Sequence, residues 1–152
     1  MSFLDIQRVF KTDNSPTDTQ FIEWVNVALS KENKSCEVVI RIVDEAESAT
    51  LNQQYRKKSS STNILSFAYD APENIELNLL GDLVICAPVV NREAQQQNKA
   101  VYDHWAHITI HGVLHLQGYD HTKEDEAEDM EAQEIAILKK FNIDNPYLQE
   151  HK

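Results

Sequence analysis

The sequence predicts an α+β domain in which a small mixed β-sheet is packed with about five helices. Three observations carry that expectation. The segments read in the order β-α-β-α-β-β-α-α-α. One strand, from Leu79 to Ala87, is apolar on both faces, with Leu83 and Ile85 on one and Val84 and Cys86 on the other; it belongs at the centre of a sheet covered on both sides. A chain of 152 residues with 41% hydrophobic content can bury one sizeable core, so residues 1–152 are expected to form a single domain.

Leu4, Ile6 and Phe10 alternate with polar residues and predict an opening strand. Ser15 as cap and Pro16 at the first helical position start a helix whose Phe21, Trp24, Val25, Ala28 and Leu29 follow helical spacing. Glu37 to Val43 alternates as a strand. Asp44, with Glu47 three residues on, predicts a capping box for a helix running to about Tyr55. Arg56 to Thr62, RKKSSST, reads as a basic and then small-polar loop. Ile64 to Tyr69 and Leu79 to Ala87 read as strands, and Pro88 opens a helix toward Gln97. A helix from about Asp103 to Gln117 meets its stop at Gly118, and Thr122 with Asp125 predicts the cap of a last helix through Phe141.

Fourteen Lys and Arg against twenty-five Asp and Glu leave a net charge of −11. That balance excludes nucleic-acid binding through overall charge and leaves only a local basic patch for such contact. Cys36 and Cys86 stand fifty residues apart without a CxxC pair, so both are expected as buried free thiols, outside any disulfide framework or cysteine zinc site. The opening MSFLDIQRVF carries Asp5 inside its apolar stretch and makes a poor signal peptide, and no run is long enough to span a bilayer. The expectation is a cytoplasmic domain with no membrane partner.

Chemistry concentrates in HITIHGVLHLQGYDH, His107 to His121. His111 and His115 lie four apart on the predicted helix, so their imidazoles project from one face, one turn apart. Gly118 can end the helix and turn the chain, after which His121 can supply a third ligand. Three neutral imidazoles with an open position are the ligand set of a catalytic zinc. The helix is in that sense zincin-like, with one departure. The zincin pattern carries a glutamate after the first histidine as general base, and Gly112 stands there instead, which counts against a peptidase.

HGVLHLQGYDH resembles the signature of the YbeY family of bacterial metal-dependent endoribonucleases. LNQQYRKKSSSTNILSFAYD resembles that family's arginine-bearing helix end and following strand, and LLGDLVICAPVVNREAQQQ its central strand and next helix. The likeness runs from about Val39 to Phe141 and departs at Asn63, where many members carry Asp, and at Ala68, where Pro is usual. It implies that His111, His115 and His121 bind one Zn2+ per chain, and that Arg56 of the YR pair handles the RNA. It also implies single-stranded RNA as substrate, with no DNA expected, and a place in small-subunit ribosomal RNA maturation and ribosome quality control. Imidazole also suits nickel and copper, so other divalent transition metals are possible.

The residues are compatible with these roles. Zinc lowers the pKa of bound water to about 7 and polarises a phosphoryl oxygen. Arg56 offers a planar fork of donors matched to a phosphate, and Lys57 and Lys58 add a basic spot. His107 is expected behind the ligands or in the core, His104 on the helix surface, and Asp120 as a turn-capping carboxylate or a partner to a ligand histidine. Ser59 to Ser61 read as a plain loop. The seven carboxylates from Glu124 to Glu134 read as the solvated N-terminal half of a scaffold helix whose buried stripe is Met130, Ile137, Leu138 and Phe141. Two other functions compete with the nuclease: a metallopeptidase, which Gly112 disfavours, and a ribosome-associated binding module with a structural zinc, which would need a fourth protein ligand.

Overall fold

In the computed structural model, which describes residues 3–69, 79–119 and 124–147, four strands and five longer helices follow the predicted order. The strands are β1 (Phe3–Arg8), β2 (Glu37–Val43), β3 (Ile64–Ala68) and β4 (Leu79–Cys86). The helices are α1 (Asp18–Ala28), α2 (Glu45–Arg56), α3 (Ala87–Gln96), α4 (Val101–Leu116) and α5 (Glu124–Lys139). The sheet order is β1-β2-β4-β3, with β1, β2 and β4 parallel and β3 antiparallel to β4. The fold is therefore α+β with a small mixed sheet.

β4 is an inner strand and is covered on both faces. Leu83 and Ile85 join the main core with Phe21, Trp24 and Trp105, while Val84 and Cys86 pack with Val43, Leu65 and Val89. α4 is buried nearly all round and packs against α1, α3, α5 and β3, so it runs through the middle of the molecule. Its buried Gly112 makes this approach possible. A Cβ there would lie 2.5 Å from Ile64 Cδ1 and 2.8 Å from Leu83 Cδ2. A side chain at the position where a zincin carries its glutamate would have to displace the ends of Ile64 and Leu83.

Several ends differ from the sequence reading for identifiable reasons. The cap of α1 is Thr17, not Ser15. Thr17 and Gln20 exchange side-chain and backbone hydrogen bonds in a full capping box, while Ser15 accepts from Arg8 and donates to the Thr12 carbonyl. Asp44 caps α2 by accepting the Glu47 N–H at 2.9 Å, but the Glu47 carboxylate is drawn to Arg41 Nε at 2.5 Å. The predicted cap of α5, Thr122, lies outside the described residues. α5 ends at Lys139, two residues before Phe141.

The loop after α2 is tied down, which a run of serines does not announce. Lys57 takes the left-handed conformation that closes the helix (φ 61°). Two buried polar residues of α2 then hold the loop backbone. Asn52 donates to the Ser60 carbonyl at 2.7 Å, and the Ser48 hydroxyl exchanges two 3.0 Å hydrogen bonds with Thr62. Cys86 is buried and Cys36 partly so, and both are free thiols. No helix among the described residues is long and apolar enough to cross a membrane.

Candidate functional site

The histidines of α4 form one stripe along the helix, through His104, His107, His111 and His115. The His111 and His115 rings stand 4.7 Å apart between centroids, as their four-residue spacing requires. They line a cleft of about 730 Å³ between α4 and the α2–β3 segment, whose other wall includes Tyr55, Arg56, Thr62, Asn63 and Phe67. Arg56, His111 and His115, separated in sequence, thus border one space. The last turn of α2 supplies the arginine, and its position depends on the pinned loop that follows. Gly118 ends the α4 segment with φ +99°, the left-handed conformation expected of it. His121 and Asp120 lie outside the described residues.

Beneath the stripe sits Glu134 of α5, a fully buried carboxylate and not part of the solvated acidic face that the local sequence predicts. Its Oε1 is 2.8 Å from His111 Nδ1, and its Oε2 is 2.7 Å from His107 Nε2 and 2.6 Å from the Tyr147 hydroxyl. Burial pushes this carboxyl upward, but the hydrogen bonds from His107 and His111 pull it further down, to about 2. An ionised carboxylate only accepts, so each partner must donate. His111 therefore carries a proton on Nδ1, and its neutral form is the tautomer whose Nε2 lone pair can ligate a metal. His107 carries its proton on Nε2, and burial above all lowers its pKa, so it stays neutral.

His107, His111 and Glu134 bring ligand atoms within 4.8 Å of one another, a His-His-Glu group that could hold a metal ion. Its closest N···O separations, 2.7 and 2.8 Å, are those of direct hydrogen bonds. Donors around a tetrahedral zinc stand about 3.3 Å apart, given bonds near 2.0 Å. The group is thus a hydrogen-bonded support. The donor chemistry above suits His111 to metal ligation through its other nitrogen.

His104 corrects the sequence reading in a second way. It is buried, not on the helix surface, with Nε2 2.9 Å from Glu93 Oε1. The Asn63 amide donates to the same Glu93 oxygen at 3.1 Å. An amide at 63 suits this acidic neighbour, where an aspartate would need a proton to make the same bond. A spacing signal for Glu134 did exist. It falls four residues after Met130, three before Ile137 and four before Leu138, on the apolar stripe of its own helix.

The sequence profile of the endoribonuclease YbeY family matches residues 5–142. A curated relative from Alteromonas mediterranea, named endoribonuclease YbeY, is 51% identical over 152 residues, covering 96% of this chain and 96% of its own length. One from Methylococcus capsulatus with the same name is 55% identical over 144 residues, covering 95% and 94%. A solution structure of a Thermotoga maritima protein superposes with a TM-score of 0.61 at 23% identity over 97% of this chain and 95% of that one, which supports the fold. The chain belongs to the endoribonuclease YbeY family.

Proposed function

We propose that this chain is a single-domain endoribonuclease that hydrolyses phosphodiester bonds of single-stranded RNA with one bound zinc. It acts in the cytoplasm, in maturation of small-subunit ribosomal RNA and in ribosome quality control, with the small ribosomal subunit as its setting. The activity follows from the names of its relatives. The single observation that supports a phosphodiester as substrate is that Arg56 borders the same cleft as His111 and His115.

In this reading His111, His115 and His121 hold the metal, with His121 entering from its spacing after Gly118 and from the likeness of HGVLHLQGYDH to the family signature. When bound, zinc supplies Lewis acidity, which lowers the pKa of water to about 7 and polarises a phosphoryl oxygen. Glu134 keeps the His111 proton on Nδ1 and holds the ring in place, and Tyr147 and His107 complete the carboxylate's hydrogen bonds. Arg56 presents paired N–H donors to the phosphate and offsets the charge that grows on its oxygens as the bond to the leaving group breaks.

The test is metal content and cleavage of an unstructured RNA measured on one purified sample, with and without chelator. Cleavage and one metal per chain should be lost together on chelation. His111→Ala and His115→Ala should each lose stoichiometric metal while circular dichroism stays native, because neither side chain fills the core. One metal per chain in either variant removes the triad; RNA cleavage that survives complete metal removal removes the hydrolytic role of the metal.

A further inference from the structure

We propose that Tyr55, with Phe67 beside it, is a stacking platform for an unpaired nucleobase at the mouth of the cleft. The inference rests on the reading of the cleft as an RNA site and names a contact that would make it prefer single strands.

Tyr55 is 59% exposed, the most exposed large apolar side chain among the described residues. An exposed tyrosine on its own is ordinary. Tyr55, however, lines the cleft that holds Arg56, His111 and His115, and the other strongly exposed apolar residues, Val9, Ile22, Tyr69 and Tyr102, do not. Its ring is held from one side. Phe67, half-buried on β3, meets it at 5.0 Å between centroids and 67° between planes. An edge-to-face contact of this kind limits the ring's orientations without enclosing it, so a ligand that stacks there orders little that is not already ordered.

The charge beside it is of the right sign. Arg56, Lys57 and Lys58 are the one run of three basic residues in a chain of net charge −11, and Arg56 is the next residue after Tyr55. A base on the Tyr55 ring would leave its own backbone beside these cations, the combination of aromatic face and local positive charge by which single strands are bound. In a duplex both faces of each base are already covered by neighbouring pairs, so only an unpaired base can use the platform. Stacking of this type is tolerant of sequence, because every base has a π-face.

The experiment measures binding of one unstructured oligoribonucleotide, and of the same strand annealed to its complement, to chelator-treated full-length protein that cannot turn over. Tyr55→Leu keeps bulk but removes the π-face. It should weaken single-strand binding by about tenfold or more while leaving duplex binding unchanged, and Tyr55→Phe should stay within about twofold of wild type. Tyr55→Trp adds a direct reporter, since Trp24 and Trp105 are both fully buried. Its emission should be quenched by the single strand and hardly by the duplex. If Tyr55→Leu binds the single strand as tightly as wild type while Arg56→Ala binds it more weakly, the platform is overturned and the RNA site stands. If wild type neither binds nor cleaves the RNA, both readings fall together.

Discussion

Glu134 Oε1 accepts a hydrogen bond from His111 Nδ1 at 2.8 Å, joining α5 to α4 across twenty-three residues of sequence. The second oxygen of the same carboxylate serves His107 and Tyr147. A buried anion is expensive unless its hydrogen bonds are complete. Here three donors complete them, and the result is a histidine whose tautomer and ring position are set before any metal arrives.

Glu134→Gln tests this directly. The amide keeps the volume but has one oxygen to accept with, so His107 and His111 cannot both keep their present protons in place. Metal affinity should fall about 10- to 100-fold in a competition titration against a chromophoric chelator. Far-ultraviolet circular dichroism should stay native, although the buried hydrogen bonds lost cost about 1–3 kcal/mol of stability. Unchanged metal affinity would reduce Glu134 to a packing element.

Acid should destabilise the metal-free protein, and the sign is the same at three groups. The Glu134 carboxyl is held at about 2 against an ordinary 4.5, so its stabilisation is complete above about 4.5 and is lost as the pH falls toward 2. Glu93 is pushed up by burial but lowered overall by hydrogen bonds from His104 and Asn63, which adds stability lost over the same acid range. His107 is kept neutral mainly by burial, so the unfolded chain takes up its proton first, once the pH drops below 6.5. Chemical denaturation of metal-free protein at pH 7, 5.5, 4.5 and 3.5 should give falling stability at each step. In Glu134→Gln the fall below pH 4.5 should be shallower. An equal slope in both proteins would assign acid sensitivity elsewhere.

Features that belong to a single element are legible in the sequence, and those that depend on packing between elements are not. β4 announced itself through apolar residues on both faces, and the His111–His115 spacing needed only helix geometry. Both are properties of a single element. Glu134 was one of seven carboxylates in eleven residues, and only the packing of α5 on α4 decides which of them turns inward. Its place on the Met130–Ile137–Leu138 stripe was a local clue outweighed by the charge around it. The burial of His104 is hidden for the same reason, because its partner Glu93 comes from α3. The serine run reads as a plain loop because Ser48 and Asn52, which pin it, sit in an unremarkable stretch of α2.

Gly112→Ala should destabilise the fold without touching a ligand. A methyl group adds about 1 kcal/mol of helix propensity, but it would enter the contact between Ile64 and Leu83, where the gap is 2.5 Å to Ile64 Cδ1. Overpacking of this kind costs about 1–3 kcal/mol, so a net loss in thermal midpoint of a few degrees is expected. A rise in midpoint would mean that the α4–sheet contact gives way easily. Gly112 also offers no carboxylate to take a proton where a zincin has its general base, so the wild type should not hydrolyse unstructured peptides. Metal-dependent peptide cleavage abolished by His111→Ala would restore the peptidase.

Arg56 separates catalysis from metal binding. A guanidinium is always charged and makes no useful metal ligand, so Arg56→Ala should keep full metal occupancy. It is an exposed residue at the end of α2, and its removal should change stability by no more than about half a kcal/mol. Cleavage should nevertheless fall by about two orders of magnitude or more, because the charge developing on the phosphate loses a fixed cation at the cleft wall. Arg56→Lys should recover only part, since a point charge cannot reproduce two parallel N–H contacts. Single-turnover cleavage of one unstructured RNA by the three proteins at equal metal occupancy decides the matter. If Arg56→Ala cuts as fast as wild type, the arginine is a surface cation. The histidines would keep their assignment in that case, and recognition of the phosphate would have to come from the lysines next to it or from the metal alone.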